Sequence, residues 1–139
     1  MPLEESQNVQ IVRRGYEAFN RGDVDAVLEL FDPAVVLGVL EDSPIAEEFH
    51  GHEGFRKLLA ENSEMFDEYR NRPEEIVEVA HDKIVVVVRA EARGRASGIE
   101  LEGRIAHLLT IRGGKAVRFE AFRSREAAID AATGGAPSD

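Results

Sequence analysis

Apolar residues recur every three or four positions through the first half of the chain and every second position through the second half. Val9, Val12, Tyr16 and Phe19 fall on one face of a helix predicted over 4–21. Gly22 is its expected end and Asp23 the N-cap of the next helix. That short helix runs to about Phe31, with Val24, Val27, Leu28 and Phe31 facing inward, and Asp32-Pro33 stops it. AVVLGVL (34–40) is β-rich, and 41–51 reads as an acidic loop containing Pro44. A third helix is predicted from His52 to Tyr69. Its stripe is Phe55, Leu58, Leu59, Phe66 and Tyr69, with Asn62 interrupting it. The period then falls to two. Strands are predicted over 74–80, 83–95, 99–112 and 115–123, joined at His81-Asp82, Ser97-Gly98 and Gly113-Gly114. Ser124 caps a last short helix, REAAIDAA.

Helices first and a meander of long strands afterwards is an α+β layout. The helices should cover one face of a strongly curved antiparallel sheet and enclose a concave space. With 139 residues, one domain over 1–132 and a disordered tail at 133–139 are expected. The absence of cysteine excludes disulfides and thiolate chemistry. A net charge of −10 repels phosphate backbones and anionic membranes, so nucleic acid and membrane are not expected partners. The opening MPLEESQN is acidic and polar, unlike a signal peptide, which makes a cytoplasmic location the expectation. His50 and His52 in FHGHEG are better explained by a turn into a helix than by a metal pair. His81 is a turn residue, and neither metal nor cofactor is expected.

One apolar strand carries a lone imidazole. Alternation places Leu101, Gly103, Ile105, His107, Leu109 and Ile111 on its inner face. An inward His107 suits general acid–base work or a substrate hydrogen bond, and equally suits a core histidine bonded to a neighbour. Leu108 and Phe122 fall on the outer face. With Arg104, Ala106, Arg118 and Glu120 they mark a candidate homodimer interface.

VRRGYEAFNRGDVDAVLELFDP, FHGHEGFRKLL and AHLLTIRGGKAVRFEAFRSREAAIDAA together resemble the SnoaL-like, polyketide-cyclase-like branch of the nuclear transport factor 2-like superfamily, over nearly the whole chain. The resemblance implies a cone: three N-terminal helices against a curved antiparallel sheet, with an internal pocket and a homodimer. Catalytic carboxylates, an Arg or a His then lie on the inner sheet face. The position of the isomerase-type general base falls on Val39, and that of the isomerase tyrosine on Gly15, with Tyr16 one residue away. The second acidic donor falls on His107, and the last-strand aspartate of the epoxide-hydrolase type on Ala121.

Arg89-x-Glu91 resembles the Arg-x-Asp pair of the hydrolases. Here two arguments oppose each other. Simple alternation buries Val86, Val88, Ala90 and Ala92 and leaves Arg89 and Glu91 outside. The resemblance turns that pair inward, which a β-bulge would achieve. The candidate catalytic set is therefore His107, Glu91 and Arg89, and the candidate lining is Tyr16, Val39, Asn62, Phe119, Ala121 and Arg123. The ligand expected is a small apolar molecule with one or two oxygens. A non-catalytic or accessory binding protein is the first reading. A cofactor-free isomerase, hydratase or epoxide hydrolase, or cyclase is the alternative.

Overall fold

The computed structural model describes residues 6–38 and 48–134. Helix α1 (Gln7–Asn20) begins at Ser6, whose Oγ accepts from the Val9 N–H. It buries Val9, Val12, Tyr16 and Ala18. Its end is a left-handed turn: Gly22 sits at φ 79°, and the Asp23 N–H donates back to the Ala18 carbonyl at 2.9 Å. Asp23 then caps α2 (Val24–Leu30) by accepting from the Ala26 N–H. Strand β1 (Phe31–Gly38) follows directly. It starts three residues earlier than the hydrophobic pattern suggests, because Phe31 already pairs with Ala116. Strand β2 (Phe49–His50) leads into α3 (Gly51–Met65).

The remaining strands are β3 (Phe66–Ala80), β4 (Lys83–Gly94), β5 (Glu100–Arg112) and β6 (Lys115–Phe122), and α4 (Arg125–Ala132) closes the described chain. The Gly113-Gly114 turn between β5 and β6 has φ of 60° and 80°, the double positive φ of a type I′ hairpin. Ser124 caps α4 through the Ala127 N–H.

These strands form one open six-stranded sheet in the order β2-β1-β6-β5-β4-β3. It is mixed rather than wholly antiparallel: β1 runs parallel to β6. Register shifts at Phe66/Glu68, Pro73/Glu75 and Glu78/Ala80 interrupt β3, and one at Thr110/Ile111 interrupts the β5–β6 pairing. Each such shift bends and twists a strand. Pro73 is tolerated because β3 is an edge strand.

The third helix is shorter than its apolar stripe. It stops at Met65, and Phe66 and Tyr69 belong to β3. A spacing of three reads as helical. Here the bulge between Phe66 and Glu68 turns both rings to the same side of an extended strand.

The sheet is covered on both faces. Helices α1–α3 pack on one side over Ile84, Val86, Val88 and Leu109. On the other side α4 lays Ala128 and Ala132 over Val85, Ala106 and Leu108, with Phe122 packed alongside. This corrects the expected dimer surface. Ala106 is fully buried and Leu108 is 3% exposed, both within one chain. It also explains the unbroken burial from Ala106 to Ile111. Leu101 and Gly103, expected inside, lie exposed toward the β4–β5 turn. Residues 135–139 of the expected tail lie outside the described residues, as do Val39 and most of the acidic loop.

The Leu108 side chain fills the space between β5 and α4, so truncation leaves a cavity. Leu108→Ala should lower unfolding free energy by about 2–5 kcal/mol in urea titration. An unchanged midpoint would show that α4 does not dock there.

Candidate functional site

Between the helices and the sheet lies a cavity of about 500 Å³. Its walls are mainly aliphatic and aromatic: Ile11 and Phe19 from α1, Leu58 from α3, Phe31 from β1, Leu109 from β5 and Phe119 from β6. The sheet lines it because inner-face positions on β5 and β6 alternate, so Ile105, His107, Leu109 and, next door, Phe119 and Ala121 all project the same way.

His107 is 4% exposed. The Tyr16 hydroxyl lies 2.6 Å from its Nδ1, and the two rings are parallel within 7°. The Phe119 ring flanks the imidazole at 4.5 Å between centroids. The buried hydroxyl proton finds its acceptor at Nδ1, which leaves the ring proton of a neutral imidazole on Nε2. Burial drives the His107 pKa down to about 3, because an imidazolium here would lose its hydration with no carboxylate to replace it. Burial likewise pushes the Tyr16 phenol well above its ordinary range, with Tyr69 adding to the effect. Tyr69, also in the wall, is raised by burial as well.

A second attachment of α1 lies one turn further on. The Asn20 amide donates to the Asn71 carbonyl at 2.7 Å, and its Oδ1 accepts the Asn71 N–H at 2.9 Å. Asn71 on β3 is 8% exposed and lines the cavity. No periodicity argument singles it out, because the hydrophobic pattern predicts helix as far as Tyr69 and strand only from residue 74. Asn62 stands in the wall common to the main cavity and an adjoining recess of about 260 Å³, whose outer side carries Asp67 and Arg95.

The expected lining residues Tyr16, Asn62, Phe119, Ala121 and Arg123 all border the cavity, and Val39 lies outside the described residues. Arg89 and Glu91 do not border it. The β4–β5 register runs unbroken from Lys83 to Arg93, so no bulge re-aims the pair, and simple alternation holds. Both point to the outer face. Arg89 bonds to Glu102, and Glu91 accepts from Arg72 at 2.6 Å. The Arg72 hydrogen bond holds the Glu91 carboxyl below its usual range, and Glu102 raises the Arg89 guanidinium. Among the described residues no carboxylate lines the main cavity. His52 is committed elsewhere, its Nε2 lying 2.9 Å from the Phe31 carbonyl, while His50 sits at the surface 3.9 Å from Glu48.

The buried neutral imidazole couples stability to pH. The folded pKa lies below the unfolded value near 6.5, so only the unfolded chain binds this proton between them. The contribution is complete above that value and is lost as pH falls toward 3, at roughly 1.4 kcal/mol per pH unit. Urea titrations across this window should show that slope in the native chain and lose it in His107→Phe. An equal slope in both would contradict a buried neutral ring. Tyr16→Phe orphans Nδ1 and should cost about 1–3 kcal/mol at pH 7.

Solved structures share this architecture. TerC, co-crystallised with polyporic acid, is 26% identical, with 88% of this chain and 95% of that chain covered and a TM-score of 0.78. A nuclear transport factor 2-like protein of unknown function from Burkholderia pseudomallei is 27% identical over 90% and 96% of the two chains, also at 0.78. A protein assigned to the SnoaL-like polyketide cyclases from Jannaschia sp. shares the fold at 19% identity, over 94% and 96% of the chains, with a TM-score of 0.73. No curated protein matches the sequence significantly. The model of the SnoaL-like domain matches residues 12–119, which span β1, β3, β4, β5 and the histidine-bearing cavity wall, and the chain therefore belongs to the SnoaL-like family.

Proposed function

We propose that this chain binds a small, largely apolar molecule with one or two oxygens, in a non-catalytic or accessory role in the cytoplasm. The observation that carries the reading is the character of the cavity. About 500 Å³ of space is walled by hydrocarbon and aromatic rings, with the Tyr16–His107 pair as its central polar feature. Apolar pockets of this size with a few convergent polar groups are the usual form of small-molecule sites. The Nε2–H of His107 donates to a ligand oxygen, and the rings of Phe119 and Phe31 pack its body.

The same pair is poorly matched to proton transfer. An efficient general base has a pKa near the working pH, whereas His107 lies at about 3 and Tyr16 lies far on the other side of neutrality. The alternative reading as an isomerase, hydratase or cyclase enlists Arg89 and Glu91, and both face away from the cavity. TerC, crystallised with a small molecule, supports a ligand-binding reading for this fold.

Native mass spectrometry of gently purified protein should find a noncovalent small-molecule adduct. Ala121→Phe, which fills the cavity, should abolish it, and Glu91→Gln should leave it unchanged. An adduct that survives the filled cavity would contradict this site.

Homodimerisation belongs to the same proposal. With Ala106 and Leu108 covered by α4, the exposed large apolar side chains among the described residues are Ile99 and Leu101, at 59% and 51% exposure. Light scattering should give twice the chain mass for the native protein and the single-chain mass for Leu101→Glu. A native monomer would end the dimer reading.

A further inference from the structure

The recess of about 260 Å³ beside the main cavity has hydrocarbon walls, with Phe19, Val24 and Leu59 among them, and a polar rim of Ser63, Asp67 and Arg95. Phe19, Asn62, Phe66 and Tyr69 border both spaces. Its volume falls below the roughly 300–1,000 Å³ of a whole small-molecule site, which suits it to one end of a ligand.

Arg95 is exposed, and its guanidinium is fixed at this rim. Its backbone N–H donates to the Met65 carbonyl at 2.9 Å, which ties the turn after β4 to the end of α3. Its Nε donates to the Ser63 carbonyl at 2.8 Å and its Nη2 to the Phe66 carbonyl at 3.4 Å. Ser63 and Phe66 both line the recess, so the guanidinium stands against its wall. The two carbonyls take the Nε–Nη2 edge of the fork. The end edge, Nη1 and the second Nη2 hydrogen, is left for another acceptor. Asp67, on the same rim, is held by Arg93 at 2.9 Å. Arg89, Arg93 and Arg104 each meet a carboxylate of the chain, whereas the described partners of Arg95 are neutral carbonyls. A helix C-terminus attracts a cation on its own account, but that role uses one edge of the guanidinium and needs no apolar recess beside it.

The end edge of a guanidinium fits a planar carboxylate, which accepts two parallel N–H bonds. We propose that Arg95 is a specificity residue, and that the recess takes the carboxylate end of an amphipathic acid whose apolar body extends into the main cavity. The described wall of that cavity has no carboxylate to oppose an anion. This rests on the small-molecule reading above and deepens it to acids, over amides, esters and amines of the same shape.

The test uses two probes of one shape, 2-naphthoate and 2-naphthamide, titrated calorimetrically into the full chain at pH 7. Only the first is charged. The native protein should prefer 2-naphthoate by about tenfold. In Arg95→Gln the preference should vanish, with the affinity for 2-naphthamide unchanged. It should persist in Arg56→Gln, which removes an exposed positive charge paired with Glu53 and bordering neither space. In the native protein, 2-naphthoate and not the amide should shift the Arg95 Nε–H resonance, a readout that needs no variant and does not depend on how well Arg95→Gln folds. Arg123 is a second cation bordering the main cavity. Equal affinity of the two probes for the native chain, an undiminished preference in Arg95→Gln, or a preference lost in Arg123→Gln instead would overturn the role of Arg95 and leave the cavity reading intact. Failure of both probes to bind the native chain would also overturn it, while the mass-spectrometric adduct still decides the small-molecule reading.

Discussion

The hydrogen bond between Tyr16 and His107 ties the helical layer to the middle of the sheet, and the hollow depends on that tie. Protein interiors normally close-pack. A space of this size stays open only where its walls are held at a fixed separation. Helix α1 is fixed twice on consecutive turns, by Tyr16 to β5 and by Asn20 to β3. Two anchors on different strands set both the height and the direction of the helix over the concave face. The first anchor also decides the chemistry, since it sets the tautomer and leaves the Nε2–H available on a ring that burial keeps neutral.

Charge is sorted by face. On β4 the inner row is Ile84, Val86 and Val88, while the outer row beyond α4 carries Arg89, Glu91 and Arg93, each paired across strands. Exposed pairs of this kind add little stability. Their role is to keep guanidinium and carboxylate groups in water, so that the opposite face is free to be hydrocarbon. That sorting leaves the described wall without a carboxylate and makes burial the largest influence on the titrations of His107, Tyr16 and Tyr69.

The alternating β5 pattern was enough to place His107 inward, and capping residues located the starts of α2 and α4. Resemblance and periodicity together indicated an α+β fold with helices on a curved sheet. Three features were illegible for physical reasons. The bulge in β3 spaces Phe66 and Tyr69 like helix residues, which hid the first eight residues of the strand and with them Asn71. Burial of Ala106 and Leu108 depends on where α4 returns, and a local pattern carries no such long-range information. The parallel pairing of β1 with β6 likewise requires knowing which strands meet across most of the chain. In contrast, plain alternation was the better guide for Arg89 and Glu91, and the family analogy pointed the wrong way.

The central claim is that a neutral imidazole, accepting from a tyrosine, stands in the wall of an apolar cavity between the helices and the sheet. Long-range ¹H–¹⁵N correlation of the histidine side chains, recorded from pH 8 down to pH 4, reads this directly. The chain has four histidines. One imidazole should remain neutral across the whole range as the Nε2–H tautomer, and should lose that signature in Tyr16→Phe. Four rings that all titrate near 6.5 would contradict the account.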